Sequence, residues 1–108
     1  MSDFAFAGKT FVIHLDNGVV FHNIYGSEGN RLQYAEIDGA TEGASGTVDL
    51  HVAEIARKVY LIGWNEVTGA TVTQVLDFGT GTVTGFWSAD EGGGRSGEIH
   101  SGTFEELG

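Results

Sequence analysis

The chain lacks cysteine and proline, has few basic residues and contains no long apolar run, and each absence narrows its possible functions. Without cysteine, neither disulfide bonds nor thiolate chemistry is available. Five lysine and arginine residues stand against 15 aspartate and glutamate residues, which gives a formal net charge of −10. Nucleic acids and anionic membrane surfaces bind clustered basic residues, so we expect neither as a partner.

The lack of long apolar segments also bears on the location of the protein. No stretch comes near the roughly 18 apolar residues of a membrane-spanning helix, and the N-terminus lacks the pattern of a signal peptide. We therefore expect a soluble, cytoplasmic protein with no membrane partner. A length of 108 residues predicts a single domain, residues 1–108, built around one core.

Glycine is the abundant residue, with 18 copies in the chain against an average usage of roughly 7%. Glycine permits tight hairpin turns, and here it separates runs rich in β-branched and aromatic residues. The pattern predicts an all-β fold of about eight strands. The predicted strands cover residues 10–15, 19–25, 31–37, 47–55, 58–66, 71–78, 82–88 and 98–104.

Open edges in so small a sheet would favour aggregation, so we expect the strands to close into a single antiparallel up-and-down β-barrel. One segment, Asp49–Arg57, does not fit a regular strand, because its apolar alternation breaks phase at Ala53. This break predicts either a β-bulge or a short helical turn.

The first hairpin decides which side chains face the barrel interior. Asn17 and Gly18 between two strand-like runs favour a two-residue turn, because both residues tolerate positive φ. A two-residue turn pairs Ile13 with His22, so His22 is predicted to face inward. His14 is predicted to face outward.

The outer face of this barrel is expected to carry apolar side chains. Val12, Val19 and Phe21 are the residues expected there. Exposed apolar surface on a short barrel favours self-association, so we expect a homodimer.

Glu66 is the carboxylate of greatest interest, because it shares one face of its strand with large apolar side chains. Alternation along the strand places Tyr60, Ile62 and Trp64 on that face. A barrel of about eight strands either fills its interior with side chains or encloses one small ligand. Glu66 therefore either ends a strand in solvent or contacts a ligand inside the barrel.

No motif for a metal or cofactor is evident. His14, His51 and His100 lie on different predicted strands and lack the close spacing of metal ligands. The glycine-rich segments are not followed by a lysine or a helical pattern, as a phosphate-binding loop would be. We expect neither a metal site nor a cofactor.

Three segments resemble a known family: FAGKTFVIHLDNG (Phe6–Gly18), YLIGWNEVTGATVTQVLDF and TVTGFW. They resemble the MoaF-like family of small calycin-type, lipocalin-like β-barrels and, more distantly, the bacterial phenolic acid decarboxylases. The resemblance spans residues 6–87. It implies a ligand inside the barrel, and the catalytic hairpin glutamate of the decarboxylases corresponds to Glu66.

The resemblance does not extend to the other functional groups of the decarboxylases. Their two tyrosines correspond to Ile13 and Leu15, and their arginine falls near Ala44 in a segment without basic residues. The resemblance therefore does not imply decarboxylation of a phenolic acid by the same mechanism.

Three hypotheses about function remain open. The barrel binds a small apolar or aromatic molecule, or it is a cofactor-independent lyase or isomerase with His22 and Glu66 as an acid–base pair. Alternatively, the interior is fully packed and the protein acts only through a dimer surface. The candidate ligand-binding residues are Phe11, Ile13, Leu15, Tyr34, Tyr60, Ile62, Trp64, Gln74 and Trp87.

Overall fold

The computed structural model describes residues 4–38, 45–90 and 92–107, which form nine β-strands and no helix. Among these residues there is thus no helix with the length and apolar character that spanning a membrane requires. The position near Ala44 lies outside the described residues. The strands are β1 (Thr10–Leu15), β2 (Val20–Tyr25), β3 (Arg31–Asp38), β4 (Ser45–Asp49), β5 (His51–Ala56), β6 (Val59–Asn65), β7 (Thr71–Asp77), β8 (Thr82–Asp90) and β9 (Arg95–Glu106).

The strands form one antiparallel sheet in the order β4-β3-β2-β1-β9-β8-β7-β6-β5. Successive strands pair as hairpins, and the last strand, β9, returns to pair with β1. The two edge strands, β4 and β5, are successive in the chain and are joined at Leu50. The sheet is therefore a nearly closed up-and-down barrel, which confirms the predicted fold class.

Leu50 also explains why nine strands are present where about eight were predicted. The predicted strand 47–55 is divided there, so that β4 pairs with β3 while β5 pairs with β6. The Leu50 amide donates a hydrogen bond to the Asn30 carbonyl at 2.9 Å. The pairing of β5 with β6 shifts register between Glu54 and Ala56, in the segment where the broken alternation indicated a bulge.

The first hairpin has a three-residue turn instead of the predicted two-residue turn. The Leu15 amide donates to the Val19 carbonyl at 2.9 Å, and the Gly18 amide donates to the Leu15 carbonyl at 3.1 Å. Gly18 has a φ of 87°, whereas Asn17 does not have a positive φ. A two-residue type I′ turn needs positive φ at both central positions, so the chain forms the three-residue alternative with glycine in the left-handed region.

This change in turn length reverses the faces of β2. Ile13 pairs with Phe21, and Val12 pairs with His22. His22 therefore lies on the face opposite Ile13, half-buried on the outside of the barrel, and the prediction that it faces inward is wrong. His14 is exposed on the outer face, as predicted.

The three residues expected to form an exposed apolar surface for a homodimer do not form one. Val12 is buried, and Val19 and Phe21 line the interior. The homodimer stays a prediction, but the exposed apolar surface on which it was based is absent at these three residues. Large apolar side chains that are exposed on strands elsewhere are Ile24, Ile37, Ile55, Leu61, Phe86 and Ile99.

Aromatic side chains fill one end of the barrel, which we call the closed end. Phe6, from the irregular segment before β1, is fully buried there. Its ring centroid lies 4.8 Å from that of Tyr25 and 5.3 Å from that of Tyr60. Phe11, Phe78 and Phe104 complete the cluster. Large rings fill the interior at this end, so the space inside the barrel that the side chains leave open lies toward the opposite end.

Candidate functional site

The opposite end of the barrel, the open end, contains a cavity of about 540 Å³. This volume lies within the range of roughly 300–1,000 Å³ that is typical of small-molecule sites. A cavity of this size argues against the hypothesis of a fully packed interior. The lining side chains are Ile13, Leu15, Asn17, Val19, Phe21, Asn23, Tyr34, Glu36, Trp64, Glu66, Val72, Gln74, Phe86, Trp87, Glu98 and His100, together with Gly85.

The predicted ligand-binding residues divide between the cavity and the core. Ile13, Leu15, Tyr34, Trp64, Gln74 and Trp87 line the cavity. Phe11, Tyr60 and Ile62 do not line it; they are buried in the core. Strand alternation gives the face of a residue but not its depth along the barrel, so these three were predicted on the correct face at the wrong depth.

Glu66 both closes a turn and faces the cavity. Its amide donates to the Ala70 carbonyl at 2.8 Å, and its carbonyl accepts from the Gly69 amide at 2.9 Å. Its half-buried side chain accepts a hydrogen bond at Oε2 from Trp64 Nε1 at 3.2 Å. Closing the turn and lining the cavity are therefore compatible roles of Glu66, because the backbone forms the turn while the carboxylate lines the cavity.

Tyr34 lies beside Glu66 in the cavity wall. Burial, followed by the charge of Glu66 and hydrogen bonding with its carboxylate, raises the pKa of the Tyr34 phenol. The Tyr34 ring centroid lies 6.4 Å from that of Trp64 and 6.1 Å from that of Phe21. A Cβ at Gly46 would lie only 2.9 Å from the Tyr34 hydroxyl oxygen, so glycine leaves room for the ring. We refer to Glu66, Trp64 and Tyr34 as the Glu66 cluster.

Two amide side chains in the cavity wall have an oxygen atom without a hydrogen-bond partner. Asn23 Oδ1 and Gln74 Oε1 are buried, and neither accepts a hydrogen bond within the described residues. Asn23 is only 3% exposed, and its Nδ2 makes a long 3.4 Å contact with the Tyr25 hydroxyl. Leaving a buried polar atom unpaired costs about 1–3 kcal/mol. Such atoms in a cavity therefore favour a polar group of a ligand or water.

His100 lies between two carboxylates in the cavity lining. Its Nδ1 is 2.8 Å from Asp16 Oδ1, and its Nε2 is 2.9 Å from Glu98 Oε1. Hydrogen bonding to Glu98, then to Asp16, raises the pKa of His100. The pKa of Asp16 is lowered, first by the backbone hydrogen bond from Ser101 and then by the hydrogen bond with His100. Both ring nitrogens face acceptors, so the charged imidazolium is the favoured form.

Several of these lining residues were not predicted from the sequence. A register that turns His22 inward turns its neighbour Asn23 outward, so the error in the first hairpin concealed Asn23. Glu98 and His100 occupy alternate positions of β9 that share a face with Phe104, which packs against the core. Counting alternate residues back from Phe104 would therefore have predicted that both side chains face the interior. The predicted strand begins at Glu98 and so places this residue at a strand end, whereas β9 begins at Arg95.

The predicted acid–base pair of His22 and Glu66 is not assembled. Glu66 faces the interior, while His22 lies on the outer face of β2 and does not line the cavity. No group of three or more His, Asp or Glu side chains within the described residues is placed to hold a metal ion.

The ion pairs of His100 predict a specific dependence of stability on pH. The pKa of His100 is raised on folding, so its contribution is fully present below its unfolded pKa and is lost as the pH rises through its folded pKa. The melting temperature of the wild type should therefore exceed that of His100→Gln by more at about pH 6 than at about pH 9. Thermal denaturation of both proteins across this range measures the difference.

The matched control is His51→Gln, which replaces an exposed histidine of β5. Its difference from the wild type should not depend on pH in the same way. A difference between wild type and His100→Gln that stays constant, or that grows toward alkaline pH, would contradict the assigned ion pairs.

A family model and a solved structure both match this chain over most of its length. The family model described as MoaF-like matches residues 7–102. The chain is similar to a crystal structure of a protein from Burkholderia vietnamiensis that is described as a "putative beta-lactamase". The TM-score is 0.86, with 32% sequence identity over 95% of this chain and 96% of that chain. No protein of curated function matches the sequence.

Proposed function

Because the chain belongs to the MoaF-like family and its barrel is open at one end, we propose that it binds one small, largely apolar organic molecule. The observation that carries this proposal is the 540 Å³ cavity, whose wall combines aromatic side chains with a few polar groups. Binding sites for small molecules have this composition: apolar walls exclude water, and a few polar groups orient the ligand. The Glu66 cluster and the amides of Asn23 and Gln74 are the polar groups here.

A lyase or isomerase reaction is the alternative, and it needs a different proton donor from the predicted His22. Tyr34 is the candidate for this role, because its phenol carries a proton at neutral pH and lies beside Glu66 in the cavity wall. A binding protein and an enzyme are distinguished by whether the bound molecule is chemically converted. A binding protein returns the molecule unchanged, whereas an enzyme would convert it and would lose conversion in both Tyr34→Phe and Glu66→Gln.

The name given to the Burkholderia protein suggests β-lactam hydrolysis as a further activity. Serine β-lactamases use a serine and a lysine spaced as S-x-x-K. No serine of this sequence is followed by a lysine at that spacing. Neither a serine nor a lysine lines the cavity among the described residues. We therefore do not extend this activity to the chain.

Filling the cavity is expected to weaken binding while the barrel stays folded. Gly85 lines the cavity, and a Cβ there would meet the flexible Gln74 side chain first, at 3.2 Å. Gly85→Leu should therefore weaken binding of naphthylethanol, a neutral aromatic probe, by at least about tenfold. Tryptophan fluorescence titration measures the affinity, because Trp64 and Trp87 line the cavity.

The matched control is Gly94→Leu, which adds the same side chain where nothing lies within 4 Å of a Cβ. This variant should bind the probe as the wild type does. Circular dichroism should give the same strand signal for all three proteins. Equal affinity in Gly85→Leu and the wild type, or no saturable binding by the wild type, would contradict the proposal.

A further inference from the structure

We propose that the cavity selects an organic cation, namely a small molecule with a protonated amine on an aromatic or alkyl body. This inference rests on the proposed function and adds the charge of the ligand. It follows from the charges and the aromatic walls of the cavity, while the buried amide oxygens without partners indicate that the ligand carries a polar group.

The charged side chains that line the cavity are predominantly acidic. Glu36, Glu66 and Glu98 line it, and the only basic group among the lining residues is His100. His100 is already paired with Asp16 and Glu98, so its charge is balanced. None of the five lysine and arginine residues of the chain lines the cavity. An anionic ligand would therefore meet carboxylates with no free positive charge to oppose them.

Glu66 is the best-placed carboxylate to bind a cation. Both groups that hydrogen-bond to its carboxylate, the Trp64 indole and the Tyr34 phenol, are neutral, and the ion pairs formed within the described residues do not include it. The residues outside the described ranges include no lysine, arginine or histidine. A half-buried carboxylate loses hydration that a neutral donor replaces only in part. An ammonium group of a ligand would supply the missing charge and further hydrogen bonds.

The unpaired atoms of the wall favour a ligand with a polar group and are compatible with an ammonium group. Asn23 Oδ1 and Gln74 Oε1 are acceptors, and an ammonium group carries three donors and no acceptor. An amide can turn over to present its NH₂ group instead, so these two residues adapt to the ligand. An ionised carboxylate can only accept, and the preference for a cation therefore comes from Glu66.

The aromatic side chains complete the site for a cation. Tyr34, Trp64 and Trp87 line the same cavity as Glu66. The face of an aromatic ring attracts a cation, and the attraction is strongest for tryptophan. Aromatic walls beside a carboxylate can hold an ammonium group and the apolar body attached to it together.

Three probes of one shape test the charge of the ligand: naphthylethylamine, naphthylethanol and naphthylacetate. Calorimetric titrations at neutral pH should show that the wild type binds the amine at least about tenfold more tightly than the alcohol, and the carboxylate most weakly. Glu66→Gln, which keeps the shape of the side chain, should remove most of this preference, so that its affinities for the amine and the alcohol become similar. Its melting temperature should be close to that of the wild type, because no cavity is created.

The matched control is Glu105→Gln, which makes the same change in net charge at an exposed position outside the cavity. It should keep the full preference for the amine. Equal affinity for amine and alcohol in the wild type would overturn the charge selection and leave the proposed function intact. A preference that persists in Glu66→Gln, or is lost equally in Glu105→Gln, would overturn the role of Glu66. If none of the three probes binds, the proposed function itself fails.

Discussion

Gly102→Ala is expected to destabilise the barrel by at least about 3 kcal/mol, and to prevent folding if the barrel is only marginally stable. A Cβ at this position would overlap the His14 carbonyl oxygen and would lie 3.0 Å from the Leu15 Cα. Both atoms belong to the backbone of β1, which is held by pairing with β2 and β9. Neither can move aside without breaking the pairing of β1 with β9, which joins the two halves of the sheet.

Gly94→Ala provides the comparison for this prediction. Nothing lies within 4 Å of a Cβ at Gly94, and its φ is not in the left-handed region. We expect it to stay within about 0.5 kcal/mol of the wild type. Urea denaturation followed by tryptophan fluorescence measures both variants, with soluble yield as the readout if Gly102→Ala does not fold. Similar unfolding midpoints for the two variants would show that the contact at Gly102 is wrongly placed.

Phe6→Ala is expected to cost about 3–5 kcal/mol of unfolding free energy. The Phe6 side chain is fully buried at the closed end and contacts the rings of Phe4, Tyr25, Tyr60 and Phe78. Removing it leaves a cavity that the surrounding strands can fill only in part, since their pairing fixes their positions. A domain of this size is stable by about 5–15 kcal/mol, so the loss is a large part of the total.

Denaturant titration measures this loss, and Phe86→Ala is the control. Phe86 is 45% exposed on β8, so its removal should cost about 1 kcal/mol or less. The same slope of free energy against denaturant in both variants would show that the difference lies in stability. Equal costs for the two substitutions would mean that Phe6 does not close the barrel.

Much of the fold is predictable from the sequence, because glycine turns and β-forming runs are local signals. The bounds of β1 and β7 follow the predicted strands to within one residue. The separation of β4 and β5 at Leu50 was not predictable, because that bend depends on pairing with two distant strands. The same holds for Phe6, since an irregular segment carries no periodicity that would place its side chain in the core.

The site was predicted less completely, because inward and outward faces depend on register. One extra residue in the first turn moved His22 outward and placed Phe21 and Asn23 inside. Asn-Gly favours two turn lengths, and only the structure distinguishes them. The position of Glu66 inside the barrel followed correctly from alternation with Trp64, since no turn lies between those two residues.

The claim that a ligand binds inside the open end of the barrel is tested most directly by an NMR titration with naphthylethanol. The reporters are the indole N–H signals of Trp64 and Trp87, which line the cavity, and the imidazole signals of His22 on the outer face. We predict that both indole signals shift and saturate together as the probe binds, while the His22 signals stay unchanged. Unchanged indole signals at saturating probe, or shifts confined to outer-face residues such as His22, would contradict binding inside the barrel.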